Sequence, residues 1–119
     1  MKYKVAELEG APLDAAVALA EGLRLVTASS GRSVAVAVDG TAFEPSLCWE
    51  HGGPIIERER IHIGHGWLRN PDLWAAAIGY GFGDEVWRSD QIGGTGPTPL
   101  IAAMRAYVAS KLGDEIGLP

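Results

Sequence analysis

Thr98-Pro99-Leu100-Ile101-Ala102-Ala103-Met104-Arg105-Ala106-Tyr107-Val108-Ala109-Ser110-Lys111-Leu112-Gly113 is the stretch that decides the fold. A threonine hydroxyl can accept from a free first-turn N–H, which makes Thr98 a good N-cap. Pro99 stands at the first helical position, where its missing N–H costs nothing. Leu100, Ile101, Met104, Tyr107, Val108 and Leu112 recur at spacings of three and four and form one apolar stripe. Lys111 complements the last carbonyls and Gly113 ends the run. The predicted helix, about 20 Å long, needs a surface to cover its stripe.

That surface comes from the rest of the chain. Tyr3 to Leu8 alternates as a short strand. Pro12 opens a second helix, with Asp14 favouring its positive end and Leu13, Ala16, Val17, Ala20 and Leu23 on one stripe; Gly22 stops it. Leu25–Ala28 and Ser33–Val38 read as a hairpin around Ser29-Ser30-Gly31-Arg32. In its second arm Val34, Val36 and Val38 alternate with Ala35 and Ala37, a pattern that predicts cover on both faces. Thr41–Glu44 adds another short strand, and two more follow through Ile61 and Ile63 and over Leu73–Ile78. Gly52-Gly53-Pro54 predicts the end of an irregular loop and a single helical turn beginning near Pro54. Gly79 to Gly96 predicts an irregular segment. The fold class is α+β: a small antiparallel or mixed sheet with an N-terminal and a C-terminal helix packed on it, a layered sandwich. With 119 residues the chain makes one domain, 1–119, large enough for a core without disulfides.

Composition narrows the function. The net charge of −5 carries no Lys/Arg cluster, which excludes non-specific nucleic-acid binding through the phosphate backbone. The longest weakly charged stretch, Leu73–Phe82, falls far short of the roughly 20 residues of a membrane span. Met1 to Glu7 has two lysines but no apolar run behind them, so it does not read as a secretory signal. The single Cys48 can form no bridge within the chain, which suits a reducing cytosol.

Chemistry is sparse. Phosphate loops, nucleophile elbows and zinc-protease helices are absent. Gly79-Tyr80-Gly81-Phe82-Gly83-Asp84 misses the dinucleotide spacing. His62 and His65 have ligand-like spacing, but Gly64 and Gly66 argue against a helix that would align them; they read as loop histidines, and no metal or cofactor is expected. Glu57-Arg58-Glu59-Arg60 reads as a solvated face with local ion pairs. Trp49 and Trp87 stand in polar loops, where an aromatic serves either packing or recognition. One site suggests itself. Thr95-Gly96-Pro97-Thr98 leads into a helix N-terminus, where free N–H groups favour an anion, and Arg105 lies about two turns in. Trp49, His51, Gly52, Gly53 and Glu57 supply a second loop; if the two meet, they enclose a small polar pocket for a phosphate or carboxylate. Local capping and turn geometry accounts for each of the same glycines and prolines by itself and is the preferred reading.

Four segments carry a family resemblance: Glu7-Leu8-Glu9-Gly10-Ala11-Pro12-Leu13-Asp14, Trp49 to Glu59, Gly96 to Arg105, and Ser110-Lys111-Leu112-Gly113-Asp114-Glu115. Together they resemble the NinX-like proteins of tailed phages. Cys48-Trp49-Glu50 departs from the family pattern, which has an aspartate just before this point, and residues 64–93 depart in length and composition. The resemblance implies a phage or prophage accessory protein in the host bacterial cytoplasm and supplies no reaction. Three classes of action remain: contact with a host protein, binding of a small anionic ligand such as a nucleotide signal, and catalysis. Catalysis has no legible nucleophile–base pair or metal set behind it. A small acidic domain with exposed tryptophans also suits a homo-oligomer.

Overall fold

The structure is a computed structural model that describes residues 2–27, 29–31, 33–67, 70–78 and 93–118. Strand β1 (Lys2–Lys4) passes through a 3-10 turn (Val5–Glu7) into helix α1 (Gly10–Glu21). Strands β2 (Leu25–Thr27) and β3 (Ser33–Ala35) follow, then helix α2 (Trp49–Glu59) and strands β4 (His62–Trp67) and β5 (Asn70–Ala77). Strand β6 (Gly94–Gly96) precedes helix α3 (Pro99–Leu112), and β7 (Glu115–Gly117) comes last. Among the described residues the strands form three small antiparallel sheets, β1–β7, β2–β3 and β4–β5–β6. With the helices this is an α+β fold.

Helix α3 begins and ends where its residues dictate. The Thr98 hydroxyl accepts from the Ile101 N–H at 3.1 Å, Pro99 is the first helical residue, and Gly113 closes the helix at φ 92°. Its burial exceeds one stripe. Besides Leu100, Ile101, Met104, Tyr107 and Val108, the small residues Ala102, Ala103 and Ala106 are also buried. A helix covered all round is a central helix, and each of its large apolar side chains contributes about 1.5–3 kcal/mol by leaving water. The other elements surround it: β5 and β6 on one side, with α1 and α2 also against it. At β6 the backbones nearly touch. A Cβ on Gly94 would stand 2.5 Å from the Ala102 carbonyl oxygen and 2.6 Å from the Ala106 nitrogen, so only glycine fits there.

Several boundaries differ from the sequence reading. The N-terminal strand stops at Lys4, because Val5 turns inward and donates its N–H to the Asp114 carbonyl. Helix α1 starts at Gly10, so Pro12 is its third residue; Gly22 ends it as expected, at φ 75°. The hairpin is covered on one face only. Ala35 is buried, whereas Val26 and its cross-strand partner Val34 face solvent, and Val38 is 95% exposed. Between residues 41 and 44 there is one bridge, Ala42 to Val36, instead of a strand. Gly94–Gly96 forms strand β6 instead of irregular chain, while residues 79–92 of that segment, with the Gly79–Asp84 glycines and Trp87, lie outside the described residues. His62 and His65 occupy β4 instead of a loop; three residues apart on a strand, they fall on opposite faces, and His65 stacks on Trp74 at 4.7 Å.

Helix α2 is the largest departure. It runs for 11 residues straight through Gly52, Gly53 and Pro54. Three weak helix formers in a row are tolerated because one of them has a packing task. A Cβ on Gly52 would come within 2.6 Å of both the Pro45 carbonyl oxygen and Leu100 Cδ2. Gly52 therefore lets α2 lie against the first turn of α3, and Ile55 continues the buried side. Arg58 on the outer side makes more than a local ion pair. Its guanidinium grips Glu21 of α1 at 2.6 and 3.0 Å and reaches the Tyr107 hydroxyl of α3 at 3.2 Å, tying three helices together. Tyr107 donates its own hydroxyl hydrogen to Glu21. Burial pulls the Glu21 carboxyl upward, but the bonds from Arg58 and Tyr107 outweigh it and hold the group below the usual range.

Neighbouring glycines should thus respond oppositely to the same change. Gly52→Ala forces a methyl group into a backbone carbonyl and should cost about 1–3 kcal/mol. Gly53 has no atom within 4 Å of an added Cβ, so Gly53→Ala should stabilise α2 by about 0.5–1 kcal/mol. Urea unfolding of both variants, with unchanged m values, checks the pair.

Candidate functional site

The loop leading into α2 is fastened from several directions. Glu44 donates its N–H to His51 Nδ1 at 2.9 Å, and the His51 ring packs on Phe43 with centroids 5.4 Å apart. Ser46 donates its N–H to Asp14 Oδ1 at 2.8 Å. The Glu44 carbonyl accepts from Leu47 and Cys48, and the Cys48 carbonyl accepts from His51 and Gly52 at the helix start. Pro45 and Ser46 are fully buried beneath this arrangement, yet Leu47 is 65% and Trp49 55% exposed. A rigid pedestal thus holds two large apolar side chains in water, with the solvated carboxylates Glu44 and Glu50 beside them.

Asp14 is the group that the sequence reading misplaced. As the fifth residue of α1 it is beyond the first turn, where a helix dipole would matter, and it is only 4% exposed. Burial raises its carboxyl above the usual range; the Ser46 side chain and N–H pull the other way, Glu44 adds to the rise, and His51 opposes it. The buried Ser46 hydroxyl is close enough to contribute to that pull but makes no hydrogen bond of good geometry.

A second feature lies at the other end of α3. A cavity of about 250 Å³ opens between the Lys4–Ala6 turn, β6, α3 and the Asp114–Glu115 turn. Arg105 forms part of its wall, donating Nε to the Leu8 carbonyl and Nη1 to the Thr95 carbonyl, both at 2.8 Å. Burial draws its guanidinium below the ordinary arginine range, and Glu9 opposes that. Both hydrogen-bond partners are neutral, so a half-buried cation faces the cavity without a bonded carboxylate among the described residues.

The residues singled out from sequence fall into two groups. Trp49, His51 and Gly52 belong to the pedestal, next to Gly53; Glu57 is solvated farther along α2. Thr95 and Arg105 line the cavity. Thr98 caps α3, and Gly96 is packed so that a Cβ would meet Ile101 Cγ2 at 2.8 Å. Where the two segments approach, Gly52 of α2 is close-packed on Leu100 of α3, a contact between helices. Asp14, Lys4, Asp114 and Glu115 were not anticipated as site residues, because each lies far along the chain from the groups it joins. Among the described residues no three His, Cys, Asp or Glu side chains are placed to share a metal ion, and no helix is long and apolar enough to cross a membrane.

Asp14 gives a pH signature with a definite sign. Its raised folded-state pKa favours the folded protein below the unfolded Asp value, about 3.9. That advantage is lost as pH rises through the folded value. Asp14→Asn keeps an acceptor for the Ser46 N–H and removes the charge, so the variant should match wild type near about pH 3 and exceed it in stability at neutral pH. Asp14→Ala leaves that N–H unpaired and should be about 1–3 kcal/mol less stable than Asp14→Asn. Urea titrations across this pH range measure both differences.

A search of curated proteins finds none that matches this chain. A family model described as Bacteriophage P22, NinX matches residues 4–111. That match runs from the last residue of β1 through nearly all of α3, including the pedestal, Arg105 and the glycines on which the helix packing depends. The chain belongs to the NinX family of phage proteins.

Proposed function

We propose that this phage protein is an accessory factor that acts by binding, and that its target is a host protein in the bacterial cytoplasm. The observation that carries the reading is the pedestal: Leu47 and Trp49 project into water from a loop whose backbone is fastened to α1 and α2. A lone exposed apolar residue is ordinary. Here the surrounding chain invests a buried carboxylate and a histidine in keeping the loop rigid while leaving these two side chains uncovered. Pre-ordered aromatic anchors lose little entropy on binding, and such residues dominate interface energetics. Glu44 and Glu50 beside them select a partner whose apolar hollow has a basic rim.

The test uses the intact protein as bait in a lysate of the phage's host, beside Leu47→Ser and Trp49→Ala. Both substitutions are on exposed side chains, so circular dichroism and melting should match wild type. Loss of a buried-on-binding tryptophan should weaken capture by about 2 kcal/mol or more, roughly thirtyfold. One host protein retained by wild type at near-equal stoichiometry and released by both variants supports the reading. Equal recovery by all three baits would refute it, as would a wild-type homodimer in light scattering that Trp49→Ala dissociates.

A further inference from the structure

We infer that the cavity beside Arg105 is a binding site for a small zwitterion of the amino-acid type, held by its carboxylate at Arg105 and by its ammonium group at Asp114 and Glu115.

Arg105 comes first. A guanidinium has five N–H donors, and two are spent on the Leu8 and Thr95 carbonyls. Those bonds set the plane of the group and leave three N–H donors, two on Nη2 and one on Nη1, for the charge-assisted bonds that a carboxylate accepts. The group is half-buried, so its field is less screened than that of the exposed Lys4 at the rim. Opposite charge then appears at the mouth: Asp114 and Glu115 line the same cavity and are exposed. Among the described lining residues there are two cations and two carboxylates, and Glu9 also acts on Arg105, so these groups together carry no net positive charge. A polyanion such as a nucleoside triphosphate would find as much repulsion as attraction there. Size agrees, since 250 Å³ lies below the usual range of about 300–1,000 Å³ for cofactor and drug-sized sites. Val5, Ala6 and Ala109 add apolar wall for a short side chain.

The position of the cavity explains why it stays open. Val5 donates to the Asp114 carbonyl, which bridges the two sides of the mouth, and Lys4 pairs with Glu115 in the β1–β7 ladder. The frame is therefore built from backbone bonds that side-chain substitutions at the rim leave intact.

Titration followed by amide NMR tests the assignment with four probes: L-valine, isovalerate, which lacks the amine, isobutylamine, which lacks the carboxylate, and inorganic phosphate. L-Valine should shift the amides of Ala6, Thr95 and Glu115 and bind about tenfold more tightly than isovalerate or isobutylamine, since each of them forfeits one charged contact. Arg105→Lys, which keeps the charge and loses the planar guanidinium, should weaken valine and isovalerate alike by about tenfold. Because Arg105 also braces two carbonyls, the rim double variant Asp114→Asn/Glu115→Gln serves as the second readout. It should weaken valine and, by removing two negative charges from the mouth, leave isovalerate bound at least as tightly as before, so that the preference for valine is abolished. Phosphate or isovalerate binding wild type as well as valine does would overturn the assignment, as would shifts confined to amides away from this cavity or no shifts with any probe.

Discussion

Everything in this fold is arranged around α3, which is buried on most sides as far as Val108 and emerges into solvent in its last turn, from Ser110 to Leu112. Leu100 to Met104 and Ala106 to Val108 of α3 are all buried. A helix enclosed in this way can be packed densely only if its neighbours approach to backbone distance on some sides and with large side chains on others. The small residues mark the close sides. Gly94 sits against Ala102 and Ala106, Gly96 against Ile101 and Ala102, and Gly52 against Leu100. Tyr107, Met104 and Leu13 fill the wider gaps. The high glycine content, which suggests loops when taken alone, is at these three positions a consequence of enclosing α3.

Enclosure also explains the polar ties. The hydroxyl end of Tyr107 must find partners, and it does so where α1, α2 and α3 converge, in Glu21 and Arg58. Arg105 faces a comparable demand on the opposite side of the helix, and two main-chain carbonyls meet it. The two arginines end in different electrostatic states. Arg58 is bonded to carboxylates, which raise its pKa, Glu21 first and then Glu59, and is half-exposed. It has nothing to offer a ligand. Arg105 is bonded to neutral oxygens and keeps donors uncommitted. The same residue type is therefore a strut in one place and a recognition group in the other, and only the bonding partners distinguish them.

What could be read from the sequence was local. Thr98, Pro99 and Gly113 bound α3 correctly, and Gly22 ends α1, because capping depends on residues within one turn. Helix α2 was illegible for the complementary reason. Gly52-Gly53-Pro54 argues against a helix by propensity, and the packing that overrides it comes from Pro45 and from Leu100, 48 positions farther on. Alanines 102, 103 and 106 looked like neutral helix formers and proved to be core, since small residues give no periodic signal when every face is covered. At the candidate sites, Arg105, Thr95, Trp49 and His51 stood out by type and neighbourhood. Asp14 and Ser46, 32 positions apart, did not, because a buried aspartate inside an alanine-rich helix has no local mark. Lys4, Asp114 and Glu115 needed the pairing of β1 with β7 before they could be placed beside Arg105.

Net charge and local charge must be kept apart when the two candidate surfaces are compared. The chain carries −5 overall, which would disfavour any acidic ligand if the charges acted at long range. At physiological ionic strength exposed charges are screened beyond about 8 Å, so a group inside the cavity responds chiefly to the charges beside it, among the described residues Lys4, Arg105, Asp114 and Glu115, with Glu9 acting on Arg105. At the pedestal the screening is similar, but the near charges are Glu44 and Glu50, and they share one sign. A partner approaching that surface meets a local field in agreement with the global one, which accelerates encounter with a basic surface and hinders self-association. The cavity, with its signs balanced, gains no steering and must rely on geometry. The two surfaces therefore differ in kind, one locally acidic and the other of mixed sign, and a single net charge describes neither of them.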